Sequence, residues 1–217
     1  LEDVGAPDYS HRPRWRTTAR TRRFFSEELR GAIAGGGEPA DTWPAYPDGF
    51  SRWDPLSQAQ YLEVTTFMSP YLLSSQGDRM TMANAVEGRF PFLDPRVIDY
   101  CNLLPPRFKL RGLTEKFVLK QLSRRWLPDE IWQRPKRPFR APIHRSFFNE
   151  TRLDWVEEML SPQRIKAYGL FKPAAVRQLR AKVEAGGRLG ETDDMALVGI
   201  LSSQLIIDRF VDGLRLS

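Results

Sequence analysis

Apolar residues recur at helical spacing from Asp54 onward, and no segment shows a convincing strand-like alternation. Asp54 followed by Pro55 is typical of a helix start, because Asp accepts a hydrogen bond from the first turn and Pro lacks an N–H that would need one. Pro70 is expected to kink or restart this helix. The polar run at residues 74–77, which ends in Gly, predicts a turn after it.

A Met-rich stretch follows, and helical spacing places Met82, Ala85 and Val86 on neighbouring positions of one face. We expect this face to fill core, since methionine packs readily into irregular gaps. A second Asp-Pro pair at residues 94–95 predicts another helix, with Cys101 on or beside its apolar side. Cys101 is therefore expected to be a small buried hydrophobic residue.

Proline separates the elements in the middle of the chain. The pair at residues 105–106 ends the second helix, and Thr114 is expected to cap the next one. Residues 127–132 predict a short helical turn. Three prolines within residues 133–143 predict a loop, because proline removes a helical hydrogen bond and clashes with the preceding turn.

The end of the chain predicts three further helices, at about residues 152–160, 173–185 and 193–210. The last is the most apolar and is expected to be buried. Residues 1–53 are rich in Arg, Gly and Pro, and predict an irregular lead-in with one short helical fragment, FFSEELR. Residues 54–217 form the helical part, so the predicted fold class is a mostly α-helical fragment.

Composition narrows the class of protein. The 217 residues suffice for one domain or a large piece of one, and 41% hydrophobic with 28% charged residues argues against a disordered chain. No apolar run of about 18 residues is present, and the first residues lack the apolar segment of a secretory signal. Cys101 is the one cysteine, with His11 and His144 the only histidines, so neither a disulfide framework nor a dedicated metal site is expected. A reducing, cytoplasmic setting fits this content.

Positive charge is concentrated in one segment. Residues 105–140 hold eleven Lys or Arg and three acids, a net charge of +8, whereas the whole chain carries +6. A cationic segment in an otherwise balanced protein indicates a polyanionic ligand such as nucleic acid, a nucleoside triphosphate or pyrophosphate. The alternative is a solvated basic helix face with loops around it.

Two residues stand out as candidates for chemistry. Glu87 lies beside a dense Phe-Pro-Phe-Leu cluster, and Lys136 lies in a loop braced by prolines on both sides. A loop with restricted freedom suits an ammonium group that stabilises phosphate charge. The alternatives are an ion pair of Glu87 with Arg89 or Arg79, and an ordinary surface charge at Lys136. Phosphate-loop, dinucleotide, zinc-protease and Cys-x-x-Cys motifs do not occur in the sequence.

Three blocks of sequence resemble the C-terminal half of the synthetase domain of glutamine-hydrolysing asparagine synthetases, in the same order and at compatible spacing. The blocks are LSSQGDRMTMANAVEGRFPFLDPRVIDY, LPPRFKLRG and EKFVLKQLSRRWLPDEIWQRPKRPFRAP, within about residues 71–142. The helix MALVGILSSQLIIDRF near the end is also similar to the family.

The resemblance implies an α/β ATP-pyrophosphatase fold for the complete synthetase domain, with most of its parallel sheet upstream of these residues. It also implies activation of aspartate with ATP and Mg²⁺ as β-aspartyl-AMP, release of pyrophosphate, and attack by ammonia derived from glutamine. The family's N-terminal catalytic cysteine, its Ser-Gly-Gly-x-Asp-Ser pyrophosphate loop and its acidic SGEGxDE-type segment do not occur in this sequence, and are expected upstream of Leu1. The 217 residues alone are expected neither to bind ATP well nor to hydrolyse glutamine.

Individual residues carry over from the family motifs. Glu87 in VEGRFPFLD matches an active-site glutamate, whose equivalent in β-lactam-forming synthetases belongs to a catalytic dyad. Lys136 in RPKRPF matches the lysine that contacts the phosphates and stabilises departing pyrophosphate. Asp78, Arg79 and Lys116 also fall in matching blocks, as neighbours of substrate or nucleotide or as structural residues. We expect Glu87 and Lys136 to face one cleft.

Three alternatives stay open. Related enzymes adenylate another carboxylate, as in β-lactam synthetases, lasso-peptide cyclases and amidotransferases of secondary metabolism or the cell wall. A nucleic-acid-binding module predicts steeply salt-dependent binding, although RNA-type aromatic motifs and a clear helix-turn-helix do not occur. A degenerate structural paralogue is the third. The partners expected are aspartate or another carboxylate, ATP, ammonia, the upstream segments of the same parent chain and a second copy in a homodimer, but neither nucleic acid nor a membrane.

Overall fold

The computed structural model of the protein describes residues 3–36, 45–137, 143–149, 153–186 and 189–213. This part of the chain is mostly helical, as the sequence pattern predicts. Its α-helices, in chain order, are α1 (Arg12–Ala19), α2 (Glu27–Gly35), α3 (Pro55–Glu63), α4 (Arg79–Ala83), α5 (Pro95–Leu103), α6 (Pro106–Lys109), α7 (Phe117–Ser123), α8 (Asp129–Trp132), α9 (Ile143–Phe147), α10 (Asp154–Met159), α11 (Pro162–Tyr168), α12 (Pro173–Glu184) and α13 (Glu191–Ile206).

Other regular elements are short, apart from one wide helix. Strands β1 (Leu110–Arg111) and β2 (Thr114–Glu115) form an antiparallel hairpin between α6 and α7. The remaining helical segments have 3₁₀ geometry at Arg20–Phe24, Phe50–Arg52 and Pro91–Leu93, and π geometry at Val64–Asp78 and Ile207–Asp212.

The chain divides into two compact units, each assembled from two stretches of sequence. The first unit comprises Leu1–His11 and Trp43–Pro138, and the second comprises Arg12–Thr42 and Phe139–Ser217. This division does not follow the expected boundary between residues 53 and 54. The expectation of an irregular lead-in also needs correction, because α1, a 3₁₀ turn and α2 lie between Arg12 and Gly35.

The second unit holds the larger core. The central helix α13 contributes Ala196, Leu197, Ile200 and Leu201, all buried, which confirms the expectation that the most apolar helix is internal. The side chains packed around it come from the 3₁₀ turn and from the helices and loops between α10 and α12: Phe24, Val156, Met159, Leu160, Ile165, Phe171, Val176, Leu179 and Val183. Three of its described helices, α1, α9 and α11, were not predicted.

Two stretches far apart in sequence are joined in this unit by main-chain hydrogen bonds. Phe25 and Phe171 form an antiparallel bridge, and the Lys172 N–H donates to the Phe24 carbonyl at 2.8 Å. The buried Asp193 carboxylate, at the start of α13, pairs with Arg23 and Lys182. Helix α13 is thereby tied to the 3₁₀ turn and to α12 by charge as well as by apolar contact.

The first unit has few buried apolar side chains. Leu62 of α3 and Phe50 are buried, and the Phe50 ring stacks on Tyr46 at 4.7 Å and contacts Trp53 and Tyr61 at 5.2 and 5.4 Å. Helix α3 begins as predicted, because the Asp54 carboxylate accepts a hydrogen bond from the Leu56 N–H at 2.8 Å. Local capping chemistry and an aromatic cluster therefore organise this end of the unit.

Elsewhere in the first unit large apolar side chains are exposed, which contradicts two expectations. Met82 is 77% exposed and Met80 and Val86 are more than half exposed, so the Met-rich stretch does not fill core here. Ala85 and Val86 also lie beyond the end of α4 and do not continue a helical face. Cys101 is exposed rather than buried, as are most apolar residues of α5.

Two predicted boundaries are also wrong. Residues 74–77 form no turn, because the chain continues from α3 through the π segment Val64–Asp78 into α4, with Pro70 inside the wide winding. Thr114 does not cap a helix; it lies in β2, and α7 begins after Lys116. Among the described residues, no helix combines the length and apolar character that crossing a membrane requires.

Candidate functional site

The segment that carries Glu87 leaves α4 through a closed helix end. The Val86 N–H donates to the Thr81 carbonyl at 2.8 Å, and the Ala85 N–H donates to the Met82 carbonyl at 3.1 Å. This pattern is a Schellman motif, which satisfies carbonyls that the helix end leaves without partners. The motif requires a left-handed residue, and Ala85 supplies it with φ 54°. Glu87 therefore follows a backbone of defined geometry.

Glu87 lies in a stretch without regular secondary structure and lines a shallow recess. A Cβ on Gly88 would come within 2.9 Å of the Phe90 ring, so the ring lies close against this glycine. The recess, of about 430 Å³, is lined by Glu87, Arg89, Phe90, Pro91, Leu93 and Asp94. The aromatic and proline cluster singled out in the sequence therefore shapes the wall beside the carboxylate.

Glu87 forms the ion pair that the sequence offered as its alternative role. The Arg89 guanidinium lies 2.9 Å from the Glu87 Oε1, and the Glu87 side chain is 73% exposed. Exposed pairs contribute little to stability. The ion pair therefore leaves the Glu87 carboxylate open to solvent, and stabilisation of the fold does not by itself account for an acid at this position.

Asp78 and Arg79 lie one turn before this helix end. Asp78 ends the π segment, where its carbonyl accepts a hydrogen bond from the Thr81 hydroxyl at 3.0 Å, and Arg79 is the first residue of α4. Both side chains are exposed. Asp78 thus immediately precedes, and Arg79 begins, the short helix that leads to Glu87.

The second candidate, Lys136, follows α8 in the predicted loop. The described residues 133–137 are non-helical after Gln133, and residues 138–142 of the predicted loop lie outside the described residues. The Lys136 main-chain N–H donates to the Glu115 Oε1 at 2.9 Å. The same carboxylate oxygen accepts from the Lys120 Nζ at 3.3 Å. The Lys136 side chain is exposed.

Two of these residues, Glu115 and Lys120, line a second recess. Its volume is about 410 Å³, and its lining is Leu113, Thr114, Glu115, Lys120, Trp132, Gln133 and Pro135. The Glu115 carboxylate accepts from its own N–H, from the Lys136 N–H and from the Lys120 ammonium, and these donors hold the pKa of Glu115 below its ordinary value. Glu115 is therefore an ionised acceptor at the base of the Lys136 loop.

Lys116 lies beside this acceptor in an unusual conformation. It precedes α7 with φ 54°, in the left-handed region that residues with a Cβ rarely adopt. Its side chain is exposed. Such a conformation costs on the order of 1–3 kcal/mol and persists where surrounding contacts determine it.

Cations of the basic segment also lie over aromatic rings. The Arg111 guanidinium is 5.1 Å from the centroid of the Phe117 ring, and that of Arg124 is 5.9 Å from the Trp132 ring. These distances allow cation–π attraction. Part of the segment's charge is thus used in local packing.

No hydrogen bond or ion pair joins Glu87 to Lys136, although both belong to the first unit and both are described. Glu87 lines one recess, whereas the other is lined by Pro135, next to Lys136, and not by Lys136 itself. The expected common cleft therefore stays a prediction. Sequence reasoning overlooked Glu115, counting it only as one of three acids in the basic segment. An acid among eleven cations was the signal that could have singled it out.

A metal has no evident protein ligands in the described part of the chain, where no group of three His, Cys, Asp or Glu side chains is suitably arranged. Within the described ranges, the side chains therefore form no Mg²⁺ site of their own. Exposed Lys136 and Lys116, by contrast, fit the charge of a phosphate ligand.

The family model for asparagine synthase matches residues 5–208, which is most of the chain. The chain belongs to the asparagine synthase family. The matched range contains both candidate residues, Glu87 and Lys136. No solved structure shows a significant match to the chain.

Curated proteins similar to this chain carry two kinds of name. It is 38% identical over 97 residues to Amidase chyE of Penicillium rubens, covering 42% of this chain and 14% of that protein. It is 35% identical over 97 residues to Amidase chry2 of Gibberella zeae, with the same coverage of 42% and 14%. It is 30% identical over 128 residues to Asparagine synthetase (glutamine-hydrolyzing) 1 of Bacillus subtilis, covering 59% and 20%. The matched segments thus span only 14–20% of these relatives.

Proposed function

We propose that this chain is the C-terminal part of a synthetase domain that forms an amide from a carboxylate at the expense of ATP. Aspartate is the proposed carboxylate, β-aspartyl-AMP the activated species and ammonia derived from glutamine the amine, with asparagine, AMP and pyrophosphate as products. The observation that carries the proposal is the asparagine synthase match over residues 5–208, which includes Glu87 and Lys136. The complete domain is proposed to have the α/β ATP-pyrophosphatase fold.

Lys136 is proposed to stabilise the negative charge on pyrophosphate as it leaves. The Lys136 side chain is exposed, and the Lys136 main-chain N–H donates to the Glu115 Oε1 at 2.9 Å. A preorganised charge needs little rearrangement when the transition state forms, which is why such groups are effective. Lys116 is proposed to contribute a second cation near the nucleotide.

Glu87 is proposed to act at the carboxylate and amine end of the same reaction. An ionised carboxylate there can accept a proton from the attacking amine, provided that it lies within hydrogen-bond reach of the nitrogen. Its neighbours Asp78 and Arg79 are proposed to line the substrate region. We further propose that Glu87 and Lys136 face one cleft in the complete domain.

ATP is the proposed cosubstrate, and Mg²⁺ would neutralise part of its phosphate charge. The described residues offer no ligand set for the ion. We therefore assign Mg²⁺ to the phosphates and to residues beyond those described. The exposed apolar residues of the first unit, such as Met82 and Leu103, are proposed to contact the remainder of the synthetase domain. A glutaminase domain and a second copy in a homodimer are further proposed partners, and the cytoplasm is the proposed location.

A second candidate is amide chemistry on another carboxylate. The relatives with the names Amidase chyE and Amidase chry2 are 38% and 35% identical to this chain over 97 residues, compared with 30% over 128 residues for the Bacillus subtilis asparagine synthetase. Substrate choice depends on side chains that contact the carboxylate. An enzyme of secondary metabolism, a peptide cyclase or a cell-wall amidotransferase would share the adenylation step and differ in its substrate.

The test is carried out on the complete protein that carries these residues. Pyrophosphate release from ATP is measured with aspartate and a panel of other carboxylates, and glutamate release from glutamine is measured in parallel. Lys136→Ala is expected to lower pyrophosphate release about a hundred- to thousandfold while glutamine hydrolysis is largely retained. Lys136→Arg is expected to rescue only partly, because a planar guanidinium does not replace a compact ammonium.

Lys166→Ala is the matched control, because Lys166 is an exposed lysine of α11 in the second unit. It is expected to leave both rates unchanged. Wild-type pyrophosphate release by Lys136→Ala would contradict the assigned role. Release with another carboxylate but not with aspartate would favour the second candidate.

A further inference from the structure

The Glu115 carboxylate connects two parts of the first unit that are 21 positions apart in sequence. Its Oε1 accepts the Lys136 main-chain N–H at 2.9 Å and lies 3.3 Å from the Lys120 Nζ. Glu115 ends the β1–β2 hairpin, Lys120 belongs to α7, and Lys136 follows α8. One carboxylate oxygen thus joins the hairpin, a helix and the loop.

Burial distinguishes this contact from an ordinary surface ion pair. The Lys120 side chain is only 14% exposed and that of Glu115 is 33% exposed. A partly buried ammonium that faces a carboxylate is poorly hydrated, so the pair is held more strongly than the exposed pair of Glu87 and Arg89. Lys120 is therefore suited to fixing the Glu115 side chain.

The backbone on both sides of the contact is restricted. Lys116, next to Glu115, holds the left-handed φ of 54°. Pro135, next to Lys136, has a fixed φ and no N–H. The Lys136 N–H, in this restricted stretch, donates to a charged acceptor, the Glu115 carboxylate. Charge-assisted hydrogen bonds of this kind are stronger and more directional than neutral ones.

We propose that Glu115 is a positioning residue: through the Lys136 N–H and the Lys120 ammonium, it holds the Lys136 loop so that the Lys136 side chain meets pyrophosphate. The inference rests on the proposed function only in assigning pyrophosphate to Lys136. Glu115 itself does not touch the phosphates, because two anions would repel each other. Loss of Glu115 allows the loop to shift, and a displacement of about 1 Å in such a site can cost on the order of a hundredfold in rate.

The first measurement tests the tether without any activity. Amide hydrogen exchange of Lys136 is followed by NMR in the complete protein, with Glu115→Ala beside the wild type. Exchange at the Lys136 amide is expected to be faster in Glu115→Ala. Glu115→Gln retains an acceptor oxygen but not the charge that faces Lys120, and is expected to be intermediate. Equal exchange in wild type and Glu115→Ala would overturn the proposal.

The second measurement tests positioning, with inorganic pyrophosphate as the probe. Its affinity is measured by calorimetry in a double-mutant cycle of Glu115→Ala and Lys136→Ala. Glu115→Ala alone is expected to weaken binding about tenfold, and to weaken it no further when Lys136 is already Ala. Additive losses, or no loss in Glu115→Ala, would overturn the proposal, because they show that Glu115 does not act through Lys136.

Glu130→Ala is the matched control, since Glu130 is an exposed acid of α8 in the same basic segment. It is expected to leave Lys136 exchange unchanged and pyrophosphate binding nearly so. The proposed function fails separately, if no carboxylate elicits pyrophosphate release from ATP. Coupled pyrophosphate affinities in that case would still support the positioning role.

Discussion

The Val86 N–H donates a 2.8 Å hydrogen bond to the Thr81 carbonyl, and this bond closes the end of α4 immediately before Glu87. The closure places Ala85 at φ 54°, where helices usually have glycine. A residue with a Cβ is strained there because its Cβ approaches the following carbonyl oxygen. The direction in which the Glu87 segment leaves the helix is therefore obtained at some cost in stability.

Ala85→Gly is expected to stabilise the protein by about 0–1.6 kcal/mol. Relief of left-handed strain is worth about 1–2 kcal/mol, and the greater freedom of glycine in the unfolded chain offsets about 0.4–1 kcal/mol. The measurement is urea unfolding followed by circular dichroism. Ala83→Gly, in the last turn of α4, is the control and is expected to destabilise by about 0.5–1 kcal/mol. If Ala85→Gly lowers the free energy of unfolding as Ala83→Gly does, the backbone at Ala85 is not strained.

Asp193→Asn is expected to destabilise the protein by about 1–3 kcal/mol at neutral pH, through loss of charged hydrogen bonds. The Asp193 side chain is 8% exposed, and its partners Arg23 and Lys182 are half exposed. Those cations remain hydrated after the change, so the loss is smaller than for a fully buried pair. Thermal unfolding at pH 7 measures it.

The same residue predicts a pH dependence. Burial alone would raise the pKa of Asp193, but the hydrogen bond and charge of Lys182, with the charge of Arg23, lower it below its ordinary value. A lowered folded-state pKa means that the stabilisation is fully present above the unfolded pKa of about 3.9, and is lost as pH falls through the lower folded-state value.

Acid unfolding of Asp193→Asn should therefore depend less steeply on pH below about 4 than that of the wild type. Asp99→Asn is the control, because Asp99 is an exposed acid of α5. If both variants retain the wild-type slope, the interaction of Asp193 with its two cations does not contribute to acid stability.

Glu87→Gln is expected to lower the rate of amide formation about a hundredfold while leaving the melting temperature of the complete protein unchanged. The physical reason is that an amide keeps the size of the carboxylate but cannot accept a proton at neutral pH, and that the exposed pair with Arg89 contributes little stability. Arg89→Ala removes the same ion pair and keeps the carboxylate. If Arg89→Ala lowers the rate as much as Glu87→Gln, the ion pair rather than the acid is responsible.

Ile200→Ala is expected to destabilise by about 2–5 kcal/mol, because Ile200 of α13 is 1% exposed and its loss leaves a cavity in the core of the second unit. Leu113→Ala is the control, since Leu113 at the hairpin turn is 100% exposed and its truncation is expected to change stability by less than about 0.5 kcal/mol. Urea unfolding of both variants gives the comparison. If Ile200→Ala and Leu113→Ala lower the free energy of unfolding equally, Ile200 of α13 is not a core residue.

Local chemistry accounts for the predictions that are confirmed. The starts of α3 and α5 were predicted because Asp54 and Asp94 each accept a hydrogen bond from an N–H two residues later, at 2.8 and 2.9 Å. The burial of α13 was predicted because its segment is the most apolar of the three predicted near the end of the chain. The short helix α8 was predicted from residues 127–132, and the non-helical residues after Gln133 were predicted from the prolines of that segment.

Predictions that depended on neighbours distant in sequence were wrong or incomplete. Met82 and Cys101 have the composition of core residues but are exposed, because burial depends on which surface another segment covers. Thr114 has the chemistry of a helix cap, yet its main chain pairs with Arg111 in the hairpin instead. Helical spacing specifies which residues share a face, not what that face meets.

For the candidate site, the sequence by itself determined the residue types and their family positions: an acid beside an aromatic and proline cluster at Glu87, and a lysine in a proline-braced loop at Lys136. Only the tertiary structure decided that Glu115 accepts the Lys136 N–H at 2.9 Å and that Lys120 lies 3.3 Å from the same oxygen. Capping and proline effects act within a few residues and can be read along the chain. A hydrogen bond across 21 positions depends on how the hairpin, α7 and the loop pack, so it follows only from the folded structure.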